Sequence, residues 1–103
     1  MGNPMKIRAA AKDGITEIKV LMNHEMETGF RKDAAGVVIP AWFITEVTAQ
    51  LNGKTVMQAQ WGPSVSKNPY VAIKVKGGQT GDKVTLTWID TKGDTRTDEA
   101  VVA

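Results

Sequence analysis

Apolar and polar residues alternate in short runs along most of the chain. Within residues 15–23, Ile18, Val20 and Met22 lie two positions apart, and Glu17 and Lys19 take alternate positions. Because successive side chains of a β-strand point to opposite faces, this period of two predicts a half-buried strand. The same period recurs further along the chain and predicts several such strands.

Short turn signals separate these runs. They are Asp13-Gly14, Asn52-Gly53, Gly77-Gly78, Gly81-Asp82 and Gly93-Asp94. The strands predicted between them cover residues 5–10, 15–23, 42–51, 55–61, 70–76, 84–90 and 95–102. The spacing of apolar residues in 42–51 also fits a helix, but β-branched residues and the following Asn-Gly hairpin signal favour a strand. About seven short strands predict an all-β fold, an immunoglobulin-like antiparallel β-sandwich.

Composition is that of one globular domain. The chain has 103 residues, of which 42% are hydrophobic and 23% are charged. A chain of this length supports one hydrophobic core, so we expect a single domain over residues 1–103. We expect Met5 to be the natural start and residues 1–4 to be flexible or added. No signal peptide and no membrane span are predicted, because no apolar run is long enough.

Charge and cysteine content restrict the possible functions. The formal net charge is only +2, and charged residues are dispersed along the chain, so nucleic acid is not an expected partner. Neither is a membrane. The chain contains no cysteine, which excludes disulfides, thiolate metal ligands and thiol chemistry. No cofactor is expected.

The side chains that could support catalysis or ligand binding are few. His24 is the only histidine. It could bind a metal only together with carboxylates such as Glu25, Glu27 and Asp33, and a structural or interface role is favoured. The three tryptophans could stack on a ligand if exposed together, but packing in the core or at an interface is favoured.

Two irregular loops interrupt the strand pattern, and their residues resemble a known family. The segments concerned are residues 24–33, 39–41, 52–53, 61–63, 66–70, 88–90 and 92–94. They closely resemble the SoxZ family, the subunit without a carrier cysteine in a bacterial sulfur-oxidation complex. The resemblance covers Met5 to the C-terminus and is carried by several blocks of consecutive residues.

The resemblance implies a partner, a process and a compartment. SoxZ proteins pair with SoxY, whose mobile C-terminal arm ends in a cysteine that carries sulfur intermediates covalently. It therefore implies a non-catalytic scaffold subunit in a periplasmic heterodimer, or a dimer of dimers, exported together with a signal-bearing SoxY. The resemblance also implies transient contacts with three enzymes: a c-type cytochrome that attaches thiosulfate, a sulfate-releasing hydrolase and a sulfane dehydrogenase. Isolated chains could form a homodimer.

We expect the two irregular loops to carry the partner-binding residues. The candidates are His24, Met26, Gly29, Arg31, Lys32, Asp33, Trp61, Gly62, Pro63, Ser66, Lys67 and Asn68. Among them, Arg31, Lys32 and Lys67 could steer partners electrostatically or contact an anionic sulfonate on the arm. The alternative function is an immunoglobulin-like module that binds a saccharide or peptide through exposed Trp42 and Trp61.

Overall fold

The computed structural model of the protein describes residues 2–103 and consists of seven β-strands. They are β1 (Lys6–Lys12), β2 (Ile15–Leu21), β3 (Ile44–Leu51), β4 (Lys54–Gln60), β5 (Tyr70–Lys76), β6 (Lys83–Asp90) and β7 (Thr95–Val101). The predicted all-β fold and the number of strands are confirmed. Strand ends differ from the prediction by at most two residues, so Trp42 and Trp61 lie just outside β3 and β4. Within residues 2–103 no helix is long and apolar enough to cross a membrane.

The strands form two antiparallel sheets. The order is β1-β2-β5 in a three-stranded sheet and β4-β3-β6-β7 in a four-stranded sheet. The Asn52-Gly53 turn joins β3 to β4, and both of its residues have positive φ angles, 51° and 81°. This conformation suits the tight hairpin that Asn-Gly favours. The segment with an ambiguous period is therefore a strand, as the turn signal predicted.

The hydrophobic core lies between the two sheets. Buried side chains alternate with exposed ones along β2 and β6, as the period of two requires. Trp88 on β6 is the largest buried side chain, and Ile18 on β2 is fully buried as well. Placing the apolar face of each sheet against the other removes these side chains from water, which provides most of the driving force for folding.

The sandwich is closed along one side and open along the other. On the closed side, Ala103 donates a backbone hydrogen bond to Ala9 (2.8 Å) and accepts one from Ala11 (3.1 Å). The backbone N–H of Met5 also donates to Asp98 Oδ2 at 2.8 Å. On the open side, β4 and β5 have no strand partner on their outer edges within the described residues.

The direction of the strands determines at which end of the sandwich each loop or turn lies. Both irregular segments, residues 22–43 and 61–69, lie at the same end as the turn that follows β6, residues 91–94. The short turns at 13–14, 52–53 and 77–82 lie at the opposite end. The structure therefore collects the loops with unusual sequence on one end of the molecule.

Candidate functional site

The loop end of the sandwich contains a long loop, residues 22–43, and a shorter proline loop, residues 61–69. Reciprocal hydrogen bonds join them. The backbone N–H of Asn68 donates to the carbonyl oxygen of His24 (2.9 Å), and the N–H of His24 donates to Asn68 Oδ1 (3.1 Å). Asn68 has a φ of 52°, a left-handed conformation that asparagine tolerates better than most residues. The two loops therefore form one continuous surface.

A buried carboxylate, Asp90, anchors the long loop to the end of β6. Its Oδ2 accepts hydrogen bonds from His24 Nε2 (2.9 Å) and Trp42 Nε1 (2.7 Å). Its Oδ1 accepts the backbone N–H groups of Lys92 (2.9 Å) and Asp94 (3.0 Å). Because all four donors come from loop segments, this one side chain fixes both ends of the long loop and the turn after β6.

The His24 ring is enclosed on all sides. Only 4% of the residue is exposed, and its ring meets Trp42 and Trp88 edge-on, with centroids 5.1 and 5.0 Å away. Nδ1 accepts the backbone N–H of Met26 at 3.1 Å. The neutral ring therefore carries its proton on Nε2 and donates it to Asp90. Both ring nitrogens serve the loop structure, and the side chain is not presented to solvent.

The environment of Asp90 favours its ionised form. Burial is the largest single influence and would raise the pKa, but it is outweighed by hydrogen bonds from His24, Trp42 and the backbone of Asp94 and Lys92. The pKa of Asp90 is therefore lowered from its ordinary value. An ionised, fully hydrogen-bonded carboxylate is a strong anchor for the N–H groups around it.

The long loop also folds back on itself. Glu27 and Trp42 exchange backbone hydrogen bonds of 2.6 and 2.9 Å, and Lys32 pairs with Val38 nearer the tip. Gly29 has a φ of 88°, and a Cβ atom there would lie 3.0 Å from Ala41 Cβ. Both conformation and space therefore favour glycine at this point. The long loop is an ordered ribbon held along its length.

A cleft opens on the surface between the two loops. Its volume is about 390 Å³, and it is lined by Glu25, Met26, Glu27, Thr28, Arg31 and Lys67. Arg31 Nε donates to Glu27 Oε2 (3.2 Å), and Lys67 Nζ lies 3.2 Å from Glu25 Oε2. The hydrogen bond from Arg31 lowers the pKa of Glu27. Each cation of the cleft is thus paired with a carboxylate, so the cleft carries little free positive charge.

The fold and the loops agree with a comparison to known protein families. A family model described as "Sulphur oxidation protein SoxZ" matches residues 5–101. The match includes all seven strands and both loops. The chain belongs to the SoxZ family. Its role is therefore in sulfur oxidation. A search of curated protein sequences finds no significant match.

The structure brings some of the predicted SoxZ-type partner residues together and separates others. Met26, Arg31 and Lys67 line the cleft, and His24 and Asn68 join the two loops. Lys32 and Asp33 lie at the exposed tip of the long loop, where Asp33 Oδ1 accepts the N–H groups of Ala35 and Val37 at 2.9 and 3.0 Å. The other candidates are spread along the same two loops and do not line the cleft: Gly29, Trp61, Gly62, Pro63 and Ser66.

The alternative function considered from the sequence finds other geometry in the structure. Trp42 and Trp61, proposed as exposed ligand platforms, are both half-buried. Trp42 is bonded to Asp90, and Lys92 Nζ lies 3.9 Å from its ring centroid. Nothing in this arrangement favours the saccharide- or peptide-binding alternative. Within residues 2–103 no three histidine or acidic side chains gather as a metal site would require.

Sequence reasoning missed Asp90 and Trp42 as the partners of His24. Asp90 lies 66 residues from His24 and 48 residues from Trp42 along the chain. The sequence contained one signal: an aspartate at the end of a strand, two residues before a lysine and four before another aspartate in a glycine turn. Such an aspartate commonly caps its own turn. No nearby residue in the sequence indicated its other two hydrogen bonds, which come from His24 and Trp42.

Proposed function

We propose that this chain is the non-catalytic scaffold subunit of a sulfur carrier. It pairs with SoxY and helps to present the sulfur intermediates bound to the cysteine of the SoxY arm. Membership of the SoxZ family supports the process. The observation that supports the scaffold role is that hydrogen bonds order the long loop although it exposes large apolar side chains.

Three large apolar side chains stand out on this loop. Phe30 is 85% exposed, Val37 61% and Val38 49%. Neighbouring backbone pairs, Lys32 with Val38 and Glu27 with Trp42, hold the ribbon on which they lie. Exposed apolar residues on an ordered loop form a surface with little entropy left to lose on binding, which is what a partner interface needs.

The chemistry of the carrier belongs to the partner in this proposal. SoxY supplies the cysteine, which this chain lacks. The sole histidine here is committed to the loop anchor through Asp90 and Met26. This chain then contributes a binding surface to the complex. The complex works in the periplasm, and the signal peptide of SoxY exports both subunits together.

Complex formation with SoxY tests the proposal. Size-exclusion chromatography with light scattering on a mixture with SoxY from the same genome should give a stable 1:1 complex or a dimer of it. The double variant Phe30→Ser/Val37→Ser should weaken the complex by about tenfold or more, because exposed anchors of this kind contribute above about 1 kcal/mol each.

A matched control is Val101→Ser. Val101 is 68% exposed but ends β7, at the opposite end of the sandwich. It should leave the complex unchanged. A chain that does not bind SoxY at about micromolar concentration would contradict the proposed function. Equal losses in the loop variant and the control would contradict the part assigned to the long loop.

A further inference from the structure

The outer face of the three-stranded sheet collects basic side chains that are scattered in the sequence. Strand register aligns them in rows: Arg8 lies opposite Lys19, and Glu17 lies opposite Lys74. The exposed basic residues of this face are Lys6, Arg8, Lys12, Lys19, Lys74 and Lys76. We call this surface the basic face.

The basic face is strongly unbalanced in charge. It carries six of the 13 basic side chains of the chain but, through Glu17, only one of the 11 acidic ones. The rest of the molecule is therefore net acidic, although the whole chain is only +2. Dispersed charges in the sequence become a cluster because alternate residues of three adjacent strands share one side.

These cations are poorly compensated within the chain. Glu17 pairs with Lys19 at 3.3 Å. Within residues 2–103, the other five have no carboxylate within salt-bridge distance. Arg8 and Lys19 lie directly opposite on neighbouring strands, an arrangement of like charges that destabilises a sheet. Such a face has an unfavourable self-energy that an external negative surface would relieve.

Apolar side chains are mixed with the cations. Tyr70 and Leu21 lie side by side at one end of the face, and Ile15 lies at the other. All three are exposed. The face extends about 20 Å along the strands and about 10 Å between the outer strand axes. A surface of this size with charged and apolar residues suits a small, transient protein contact.

Other occupants fit less well. A second copy docked face to face would bring six cations against six. A nucleic acid backbone offers no partner for Leu21, Tyr70 and Ile15, and the central Glu17 would repel phosphates. A bilayer would need one continuous apolar strip, whereas the apolar residues here are separated by the rows of Arg8 and Lys74.

We propose that the basic face is a docking site for an acidic protein surface, one whose carboxylates surround an apolar centre. The inference rests on the proposed function, because the acidic partner is then one of the sulfur-oxidation enzymes that visit the carrier. Electrostatic attraction speeds encounter with such a partner, and the modest area allows rapid release. The face lies on the sheet surface, away from the apolar tip of the long loop assigned to SoxY.

The basic side chains have a simpler use that the test must separate. Five of the six lie on β1 and β5, the outer strands of the sheet, and on the open edge of β5 charge discourages pairing with other chains. Lys19 on the central strand is the exception. If edge protection were the whole purpose, reversing the charges would not affect any binding equilibrium.

The experiment compares two double charge reversals in the complex with SoxY. Arg8→Glu/Lys76→Glu changes the basic face, and Lys54→Glu/Lys83→Glu makes the same change in net charge on the four-stranded sheet, where β4 and β6 begin. Biosensor titrations measure binding to the cytochrome, the hydrolase and the dehydrogenase from the same genome at low and high salt. A 20-base-pair DNA duplex and vesicles containing phosphatidylglycerol serve as further probes.

The face variant should lower the affinity for at least one enzyme by about tenfold or more at low salt, with a smaller effect at high salt, and the control should change it much less. If both variants changed the affinity for the enzymes equally, or if neither changed it, the inference would be overturned. Binding to SoxY would in that case still support the proposed function. Loss of DNA or vesicle binding by the face variant, with enzyme binding unchanged, would also overturn it. Failure of the wild-type chain to bind SoxY and the enzymes would overturn both.

Discussion

At the scale of single residues, Asp90 does most to shape the loop end of this SoxZ-family protein. It is buried and accepts four hydrogen bonds, two from aromatic side chains of the long loop and two from the backbone of its own turn. A buried charge is tolerated only when it is fully hydrogen-bonded, and here every strong acceptor position has a donor. The loop geometry thus depends on one carboxylate.

Removing this carboxylate should be costly. Asp90→Ala leaves the N–H groups of His24 and Trp42 without their acceptor in a buried site, so we expect the free energy of unfolding to fall by about 3–5 kcal/mol. Urea denaturation measures it. Asp33→Ala is the control, because Asp33 also accepts two backbone N–H groups but is exposed. It should cost about 1 kcal/mol or less, and equal losses would contradict the anchoring role.

The stability of the protein should depend on acid through the same residue. Because the folded pKa of Asp90 is lowered from 3.8, its contribution is complete above that value and is lost as the pH falls through the folded pKa. Urea midpoints measured from about pH 6 to about pH 2 should therefore fall on the acid side. Asp90→Asn should make this fall shallower. Some slope should remain, because the hydrogen bond from Arg96 also lowers the pKa of Asp98. An unchanged acid profile would contradict the assignment.

At the scale of elements, the two loops are ordered by contacts made outside themselves. Neither has regular structure of its own beyond single bridges, yet the proline loop is tied to the long loop through Asn68 and His24 and through a 2.8 Å bond from Met22 N–H to the Pro69 carbonyl. The strands fix the points where both loops begin and end. The two loops therefore present one preformed surface.

The joint between the loops can be tested at Asn68. Asn68→Ala should lower the free energy of unfolding by about 2 kcal/mol, since it removes the acceptor for His24 N–H and puts alanine in a left-handed conformation that alanine tolerates less well than asparagine. Asn68→Gly should cost less, because glycine accepts that conformation.

Asn68→Asp retains the acceptor and should stay closest to wild type in denaturation and in SoxY binding. If alanine, glycine and aspartate at this position gave the same stability, neither the hydrogen bond nor the backbone conformation would matter there.

At the scale of the whole molecule, the two outer faces of the sandwich differ in chemistry. The four-stranded sheet presents mainly threonine and glutamine, and Thr87 and Thr97 bond across β6 and β7 at 3.0 Å. The three-stranded sheet presents the basic face. Strand pairing decides this division, because each strand delivers only every second side chain to a given face.

Repulsion within the basic face should be visible in the isolated chain. Arg8→Glu places a carboxylate opposite Lys19, so it should raise the thermal midpoint at low salt by about 2–5 °C, and added sodium chloride should reduce the gain. Calorimetry at two salt concentrations measures both. Lys54→Glu is the control and should give a smaller change. A lower midpoint for Arg8→Glu would show that the native pair is not repulsive.

The sequence by itself determined the strands, the hairpin at Asn52-Gly53, the absence of thiol chemistry and the family. These follow from local pattern and residue type, which need no knowledge of distant neighbours. Only the tertiary structure decided that His24 and Trp42 meet at Asp90, and that six dispersed cations share one face. Both depend on how strands far apart in the chain pair and pack. The strength of such long-range contacts depends on residues of several segments at once, so no single segment predicts it.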